Sequence, residues 1–405
     1  MARLAVLSYH TSPLAQPGTG DGGGMNVYVR ELSSALARLG HEVDVYTRRD
    51  NPLVRDTVLV EPGLRVHHVT AGPATALQRG DFPRYVDEFT DSVATRFRCS
   101  GVPDVIHANY WLSGLAGHRL KHELDIPLIM TFHTLERVKA DTFEAESEER
   151  SQQESQIFAC ADAVLASCEV EAEQIVRFYD ATPSRVHVVP LGVEHAFFSP
   201  GFRPQARRAL GIDPDVTMLL FVGRIQTLKG VDLALETLIE MRQRNRDAIL
   251  AIIGGPSGAD GRATLARLHE RVAEAGVIDQ VSFVAPQAHQ LLSSWMRAAD
   301  VTLVPSRAES FGLVALESSA CGTPVVASAV GGLTTLVEPG VNGLLVHDRE
   351  PKVWADAVDE LIEPDRVTSL STGAVLLARS YTWRSAAVSL AALTEELMTS
   401  GLVRC

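Results

Sequence analysis

The chain has 405 residues, 46% hydrophobic and 21% charged, with a formal net charge of −13. That length allows two α/β domains, and the acidic balance argues against a general nucleic-acid binder or a protein drawn to anionic membrane surfaces. No apolar run reaches the roughly 18 residues of a membrane span, so an anionic ligand has to be held by local cations and backbone amides of a globular protein.

The first residues, Met1 to Ser8, are too short for a signal peptide and read as a strand. The five cysteines, Cys99, Cys160, Cys168, Cys321 and Cys405, form no Cys-x-x-Cys pair. An odd count without metal spacing predicts reduced thiols in a cytoplasmic protein.

After the first strand, residues 2–8, comes a loop rich in glycine and proline that runs to Gly24. A helix from about Met25 to Arg38 follows, with Val29, Leu32 and Leu36 on its inward face, and the next strand begins at Glu42. Strand, glycine loop, helix and strand are the opening of a parallel, doubly wound sheet. The loop formally contains Gly18-x-Gly20-x-x-Gly23. The first glycine comes about ten residues after the strand instead of directly after it, which makes the match to a dinucleotide fingerprint weak. Thr47-Arg48-Arg49 also offers no acid for a ribose. Consecutive glycines at a helix N-terminus do let backbone amides approach a diphosphate.

A strand pair is expected over 57–70, a helix over 82–98, and strands at 105–108, 127–131, 163–166 and 186–189. Tyr110-Trp111-Leu112 leads into another helix, and the acidic segment 140–154 carries one isolated cation, Arg150. The stretch from Pro190 to Gly201 reads as an interdomain hinge. The second half repeats the pattern, with strands at 217–222, 248–253, 281–284, 300–304, 324–328 and 343–346. The organisation is thus α/β, with an N-terminal domain over 1–198 and a C-terminal domain over 199–379. The last helix, within 380–405, returns to the first domain.

Candidate ligand groups cluster where strands end. Gly223-Arg224 and Lys229-Gly230 follow the 217–222 strand, at the edge where open α/β sheets bind ligands. Two cations there suit a diphosphate and the charge that grows on it as it leaves, although solvated surface cations would look the same. Glu309 lies in the loop after the 300–304 strand, Ser310 is a fair N-cap, and Glu317 comes about two turns into the helix. A helix N-terminus attracts phosphate, so two carboxylates beside it make sense as holders of sugar or ribose hydroxyls. Two ordinary surface glutamates would show the same spacing. His133 ends the 127–131 strand and His10 the first one; each is either a structural histidine or a ligand contact.

Taken together, Gly22-Gly-Gly-Met-Asn-Val-Tyr-Val, Gly223-Arg224 with Lys229-Gly230, and Glu309-x7-Glu317 resemble family 4 of the retaining glycosyltransferases over nearly the whole chain. The resemblance implies two facing Rossmann-like domains (the GT-B architecture) with an interdomain cleft. His10-Thr-Ser-Pro-Leu, Gln16-Pro17-Gly-Thr-Gly-Asp21, His107-Ala-Asn-Tyr110-Trp-Leu-Ser-Gly and His133-Thr134-Leu resemble the inositol-phosphate N-acetylglucosaminyltransferases that start mycothiol synthesis.

From that resemblance, Arg79, Tyr110, Thr134 and Arg150 are expected to grip the acceptor's phosphate, with arginine at 79 where the family has lysine. His10, Asp21 and Asn26 are expected beside the inositol ring. Gln16, Pro17, Gly23, Gly24, Arg224, Lys229, Glu309 and Glu317 are expected around the UDP-sugar donor, with His133 on the sugar's 6-hydroxyl. Ala285-Pro286-Gln287 lacks an arginine common beside the base. A peripheral magnesium is implied near Met296, Arg297, Ala299 and Thr323, but no metal or cofactor is needed for the chemistry. The expected reaction moves N-acetylglucosamine from its UDP donor to inositol 3-phosphate with retention. A transferase acting on another phosphorylated acceptor, such as fructose 6-phosphate, and a nucleotide-sugar epimerase are the alternatives. The expected partners are small molecules, without nucleic acid or an integral membrane segment, and a homodimer is compatible with this reading.

Overall fold

The computed structural model describes residues 1–20, 22–142, 147–258 and 260–405. The chain divides into two compact units. The first comprises Met1–Ala15, Met25–Gly192 and Trp383–Cys405; the second comprises Gln16–Gly24 and Val193–Thr382. The division falls inside the stretch expected as a hinge, six residues before the expected boundary at 198. The glycine loop, expected with the first domain, groups with the second unit.

The first unit holds β1 (Arg3–Leu7), α1 (Gly24–Arg38), β2 (Glu42–Arg48), β3 (Thr57–Glu61), β4 (Leu64–Val69), α2 (Val86–Ser100) and β5 (Val105–Asn109). It continues with α3 (Trp111–Leu124), β6 (Leu128–Thr131), α4 (Glu136–Thr142), α5 (Glu148–Cys160), β7 (Ala163–Ala166), α6 (Glu169–Tyr179) and β8 (Val186–Val188). The second unit holds α7 (Arg203–Leu210), β9 (Thr217–Val222), α8 (Val231–Gln243), β10 (Ala248–Ile253), α9 (Gly261–Glu274), β11 (Val281–Val284) and α10 (Leu292–Ala298). After these come β12 (Val301–Val304), α11 (Leu313–Ala320), β13 (Val325–Ser328), α12 (Leu333–Leu336), β14 (Gly343–Val346), α13 (Pro351–Leu361) and α14 (Pro364–Ala378). The last helix, α15 (Trp383–Thr399), belongs to the first unit.

Among the described residues the first sheet has the order β3-β4-β2-β1-β5-β6-β7-β8 and the second β11-β10-β9-β12-β13-β14. Every pairing is parallel except β3 with β4. The central strands are mostly apolar because helices cover both faces, and β5, β6, β7, β12 and β13 are buried throughout. In α1, Val29, Leu32 and Leu36 are 1%, 2% and 1% exposed, which places the expected inward face in the core.

Some local readings needed correction. The helix expected over 82–98 is a 3-10 turn over Arg79–Tyr85 followed by α2, since Pro83 has no amide hydrogen to continue an α-helical ladder. Gly312 (φ 105), not Ser310, occupies the N-cap of α11. A left-handed backbone there favours glycine. The thiols are not all reduced, because Cys160 is disulfide-bonded to Cys405, 245 positions away. Cys99, Cys168 and Cys321 are free.

Candidate active site

Each sheet changes winding direction at one point, and the candidate residues gather there. In the first unit the chain winds outward from β1 through β2 and β4, then returns to β5 on the other side of β1. The C-terminal ends of β1 and β5 therefore flank the switch point, where open parallel sheets hold ligands. β1 leads to His10 and β5 to Tyr110. The Tyr9 amide donates to Ser113 Oγ on α3 at 3.0 Å and ties the two loops together.

Tyr110 has φ 74, which carries strain in a non-glycine residue. Its ring lies 4.5 Å from that of His10. The Arg150 guanidinium donates to Tyr110 Oη at 3.3 Å, to Thr134 Oγ1 at 3.2 Å and to the Thr134 carbonyl at 3.0 Å. It also lies 5.1 Å from the Tyr110 ring centroid. Arg79, exposed on the 3-10 turn, reaches Tyr110 Oη at 3.5 Å. Arg79 and Arg150 thus meet at the Tyr110 hydroxyl, and Arg150 links it to Thr134. Arg150 is not the isolated cation that its acidic surroundings suggested. It pairs with Glu136 at 3.0 Å and with Glu154 at 2.8 Å, and all three side chains are nearly fully buried. Asn26 is buried and donates to Thr11 Oγ1 at 2.7 Å and to the Ser12 carbonyl at 2.6 Å, which shapes the loop after β1. Asp21 lies outside the described residues.

His133 follows β6 with φ 63, and its Nε2 bonds Asn109 Oδ1 at 2.9 Å. With Nε2 donating to that carbonyl oxygen, Nδ1 is the acceptor face of the ring. Burial, together with the neighbouring His107 and His10, pushes the His133 pKa down to about 3. The ring is therefore neutral at physiological pH, suited to bonding a hydroxyl and unsuited to serving as a proton store. His107, fully buried against Thr131 at 2.9 Å, is likewise pushed down to about 3 by desolvation.

This has a consequence for stability. A histidine that folds with a pKa near 3 excludes a proton that the unfolded chain binds below about 6.5. The unfolded state then holds more protons, so stability is full above about 6.5 and falls as pH drops toward 3. For His107 the expected loss between pH 7 and pH 5 is about 2 kcal/mol. Urea titrations at the two pH values measure it, and His107→Asn should flatten the dependence by that amount.

In the second unit the switch point lies between β9 and β12. The loop after β9 carries Arg224 and Lys229, and the loop after β12 carries Glu309. Lys229 Nζ donates to Glu309 Oε2 at 2.6 Å, and Ser306 Oγ donates to the same oxygen at 3.1 Å. Residues 80 positions apart are thus paired across the crevice that the topology creates. Gly331 (φ 47) packs so closely that a Cβ there would overlap the Glu309 carbonyl oxygen, and the Gly332 amide donates to that oxygen at 3.0 Å. The tight turn after β13 therefore sets the height of the Glu309 loop. Glu317, on α11, is 2% exposed and bonds His289 Nε2 at 2.5 Å. His289 was not singled out from the sequence; nothing in its neighbours marks it, and only the packing of α10 beside α11 brings it to Glu317.

The glycine loop packs on this unit. Gln16 Nε2 donates to the Pro286 carbonyl at 2.7 Å, and Ser257 Oγ donates to the Gly20 carbonyl at 2.8 Å. A Cβ on Gly23 would stand 3.5 Å from Arg224 Nε, so the loop's backbone and the Arg224 guanidinium are neighbours. Pro17 lies in the same loop, and Gly24 begins α1. Gln287 turns its amide to the Ala285 carbonyl at 2.8 Å, which leaves the segment presenting backbone where an arginine was absent. Thr323 Oγ1 donates to the Met296 carbonyl at 2.5 Å, and the Arg297 guanidinium binds the Ser199 carbonyl at 2.8 Å. With Ala299, that set offers neutral oxygens beside a guanidinium and no carboxylate, a poor match to a magnesium ion.

Two parallel-sheet α/β units with cations at their switch points are the build of the GT-B glycosyltransferases, and family models agree. Residues 23–192 match the glycosyl transferase 4-like domain, and residues 202–369 match glycosyl transferases group 1. The chain is 44% identical over 98% of its length to the D-inositol 3-phosphate glycosyltransferase of Thermobispora bispora, covering 95% of that protein. It is 45% identical to the protein of that name in Xylanimonas cellulosilytica, over 96% of this chain and 95% of that one. The chain therefore belongs to this glycosyltransferase family, and it is a hexosyltransferase.

Among solved structures, a sucrose-phosphate synthase from Thermosynechococcus elongatus superposes with a TM-score of 0.90 at 32% identity, over 98% of this chain and 99% of that one. The Anabaena HepE protein in complex with UDP and glucose shares the fold, at TM-score 0.78 and 19% identity, over 98% of this chain and 100% of that one. No helix among the described residues is long and apolar enough to cross a membrane.

Proposed function

We propose that the enzyme transfers N-acetylglucosamine from UDP-N-acetylglucosamine to 1D-myo-inositol 3-phosphate with retention at the anomeric carbon, the first step of mycothiol biosynthesis in the cytoplasm. The observation that carries this reading is the meeting of Arg79 and Arg150 at the Tyr110 hydroxyl, with Arg150 also bonded to the Thr134 hydroxyl. Two guanidinium groups and two hydroxyls at one point fit a phosphate monoester. The names of the curated relatives point to the same acceptor.

In this reading Arg224, Lys229 and the Gly22–Gly24 amides neutralise the departing UDP. Glu309 holds hydroxyls of the transferred sugar, Glu317 holds the ribose, and the neutral His133 accepts from the sugar's 6-hydroxyl. The acceptor oxygen bonds to the anomeric carbon as the carbon–oxygen bond to the diphosphate breaks, and the leaving phosphate oxygen takes the acceptor's proton. A retaining enzyme that works through a covalent intermediate needs a carboxylate ready to attack. Glu309 is tied to Lys229 and Ser306, and Glu317 to His289, which favours attack on the donor's same face instead. His10 and Asn26 shape the wall beside the inositol ring.

The second reading keeps the donor side and changes the acceptor to another phosphorylated sugar, such as fructose 6-phosphate. The 32% identity to a sucrose-phosphate synthase favours it. A matrix of UDP- and GDP-sugars against inositol 3-phosphate, free inositol and fructose 6-phosphate, with product mass spectrometry, decides. We expect one major product, an N-acetylglucosaminyl inositol phosphate, formed from UDP-N-acetylglucosamine. A hexosyl fructose phosphate as the main product would replace our reading with the second. A new sugar nucleotide formed without acceptor would mark an epimerase.

A further inference from the structure

Four potential metal ligands from distant parts of the sequence meet on the first unit. His118 and His122 stand one turn apart on α3, with their rings 4.9 Å from each other. Cys160 closes α5, and Cys405 lies in the segment after α15. His122 Nε2 is 3.1 Å from Cys160 Sγ and 3.3 Å from Cys405 Sγ, and His118 Nε2 is 3.7 Å from Cys405 Sγ. The four ligand atoms all lie within 4.8 Å of one another.

We propose that, in the reduced protein, His118, His122, Cys160 and Cys405 bind one zinc-class divalent ion. A tetrahedral site with Zn–N near 2.0–2.1 Å and Zn–S near 2.3 Å has ligand atoms about 3.3–3.8 Å apart. The nitrogen–sulfur distances above already fall in or near that range. Two thiolates and two imidazoles are the soft, neutralising set that selects zinc over hard cations. The two sulfurs are bonded to each other in this structure, so a dithiol reductant must first supply two electrons and become a disulfide itself. The metal then displaces one proton from each thiol, and those protons pass to solvent.

The surroundings are arranged to present this set. The fully buried Asp162 carboxylate accepts from Lys121 Nζ at 2.8 Å, from the Leu128 amide at 2.7 Å and from the Val403 amide at 2.7 Å. Lys121 also donates to the Cys160 carbonyl at 2.7 Å. One carboxylate thus fixes the segment that carries Cys405 beside the helix that carries both histidines. His122 and Cys405 are exposed, which leaves a path for the ion. The ion's task is structural: it fastens the segment after α15 to α3 and α5 in a compartment where a disulfide does not persist.

The test uses the full chain, reduced with a dithiol and then desalted without oxygen, with all five cysteines counted as free thiols under denaturing conditions. Cobalt(II) alone is the probe. We expect one equivalent per chain to give the visible bands and the near-ultraviolet thiolate charge-transfer band of a tetrahedral site, and one equivalent of zinc to erase them. Cys405→Ser and His122→Ala, both at exposed positions, should lose the spectrum while keeping the far-ultraviolet circular dichroism of the parent. A cobalt spectrum of purely octahedral form in fully reduced protein would overturn the proposal, as would a tetrahedral one that survives both substitutions.

Discussion

Lys229→Ala is expected to lower turnover by about 10²–10³-fold, roughly 3–4 kcal/mol of barrier, because in the proposed reading the residue meets the charge that appears only as the diphosphate leaves. The substitution acts twice. It removes the cation, and it removes the 2.6 Å bond that positions Glu309. Lys229→Arg keeps the charge but moves it onto a longer, planar group, so it should recover only part of the rate. Arg224→Ala should show a loss of similar size without the Glu309 component. Single-turnover rates at saturating donor and acceptor separate this effect from binding, since a group that acts on the transition state lowers kcat more than it raises KM. Near-normal single-turnover rates for both alanine variants would remove the diphosphate from the second unit's switch point.

The second large effect concerns stability and acceptor binding together. Arg150→Ala takes the nearest cation from Glu136 and Glu154, both with fully buried side chains, and leaves Lys139, 3.9 Å away, facing Glu136. Stranding buried charges in this way costs about 3–5 kcal/mol of folding free energy. Tyr179 Oη also donates to Glu154, so the damage should spread to the packing of α5 against α6. Urea unfolding of Arg150→Ala measures the loss, and adding Glu154→Gln should restore part of it by removing one of the stranded charges. Arg79 makes the contrast. It is exposed and reaches Tyr110 Oη at 3.5 Å. Arg79→Ala should leave stability within about 0.5 kcal/mol. It should also raise the KM of phosphorylated acceptors while leaving that of the donor unchanged. An unchanged acceptor KM in Arg79→Ala would detach the phosphate from this cluster.

The division of labour between these two arginines follows from burial. A guanidinium already balanced by two carboxylates has little net charge to offer an incoming phosphate, but its remaining donors are fixed in direction. Arg150 therefore aligns the Tyr110 and Thr134 hydroxyls. In the proposed reading Arg79, which is exposed, supplies the long-range attraction.

Much of the fold was legible along the chain, for a physical reason. Parallel strands covered on both faces read as short apolar runs, and the glycines and polar clusters between them mark where each run must stop. The strands at 217–222, 248–253, 281–284 and 343–346 fall where that pattern put them. The class of enzyme was legible from the resemblance that the motifs after β1, β9 and β12 bear together to one glycosyltransferase family. Local backbone detail was less so. The start of α11 moved from Ser310 to Gly312, because a residue with good capping chemistry lost to one that tolerates φ 105.

What the amino-acid order determined by itself was the alternation of strand and helix, the two-unit layout and the position of Tyr110, His133, Arg224, Lys229 and Glu309 in loops after strands. These depend on neighbours a few residues apart. Which groups touch was decided only by the tertiary structure. Arg150 with Glu136 and Tyr110, Glu317 with His289, and Cys160 and Cys405 with two turns of α3 are pairs separated by up to 245 positions, and their meeting is fixed by which strands lie side by side. Strand order comes from the packing of whole helices onto sheets, an interaction summed over many side chains, and no single residue announces it.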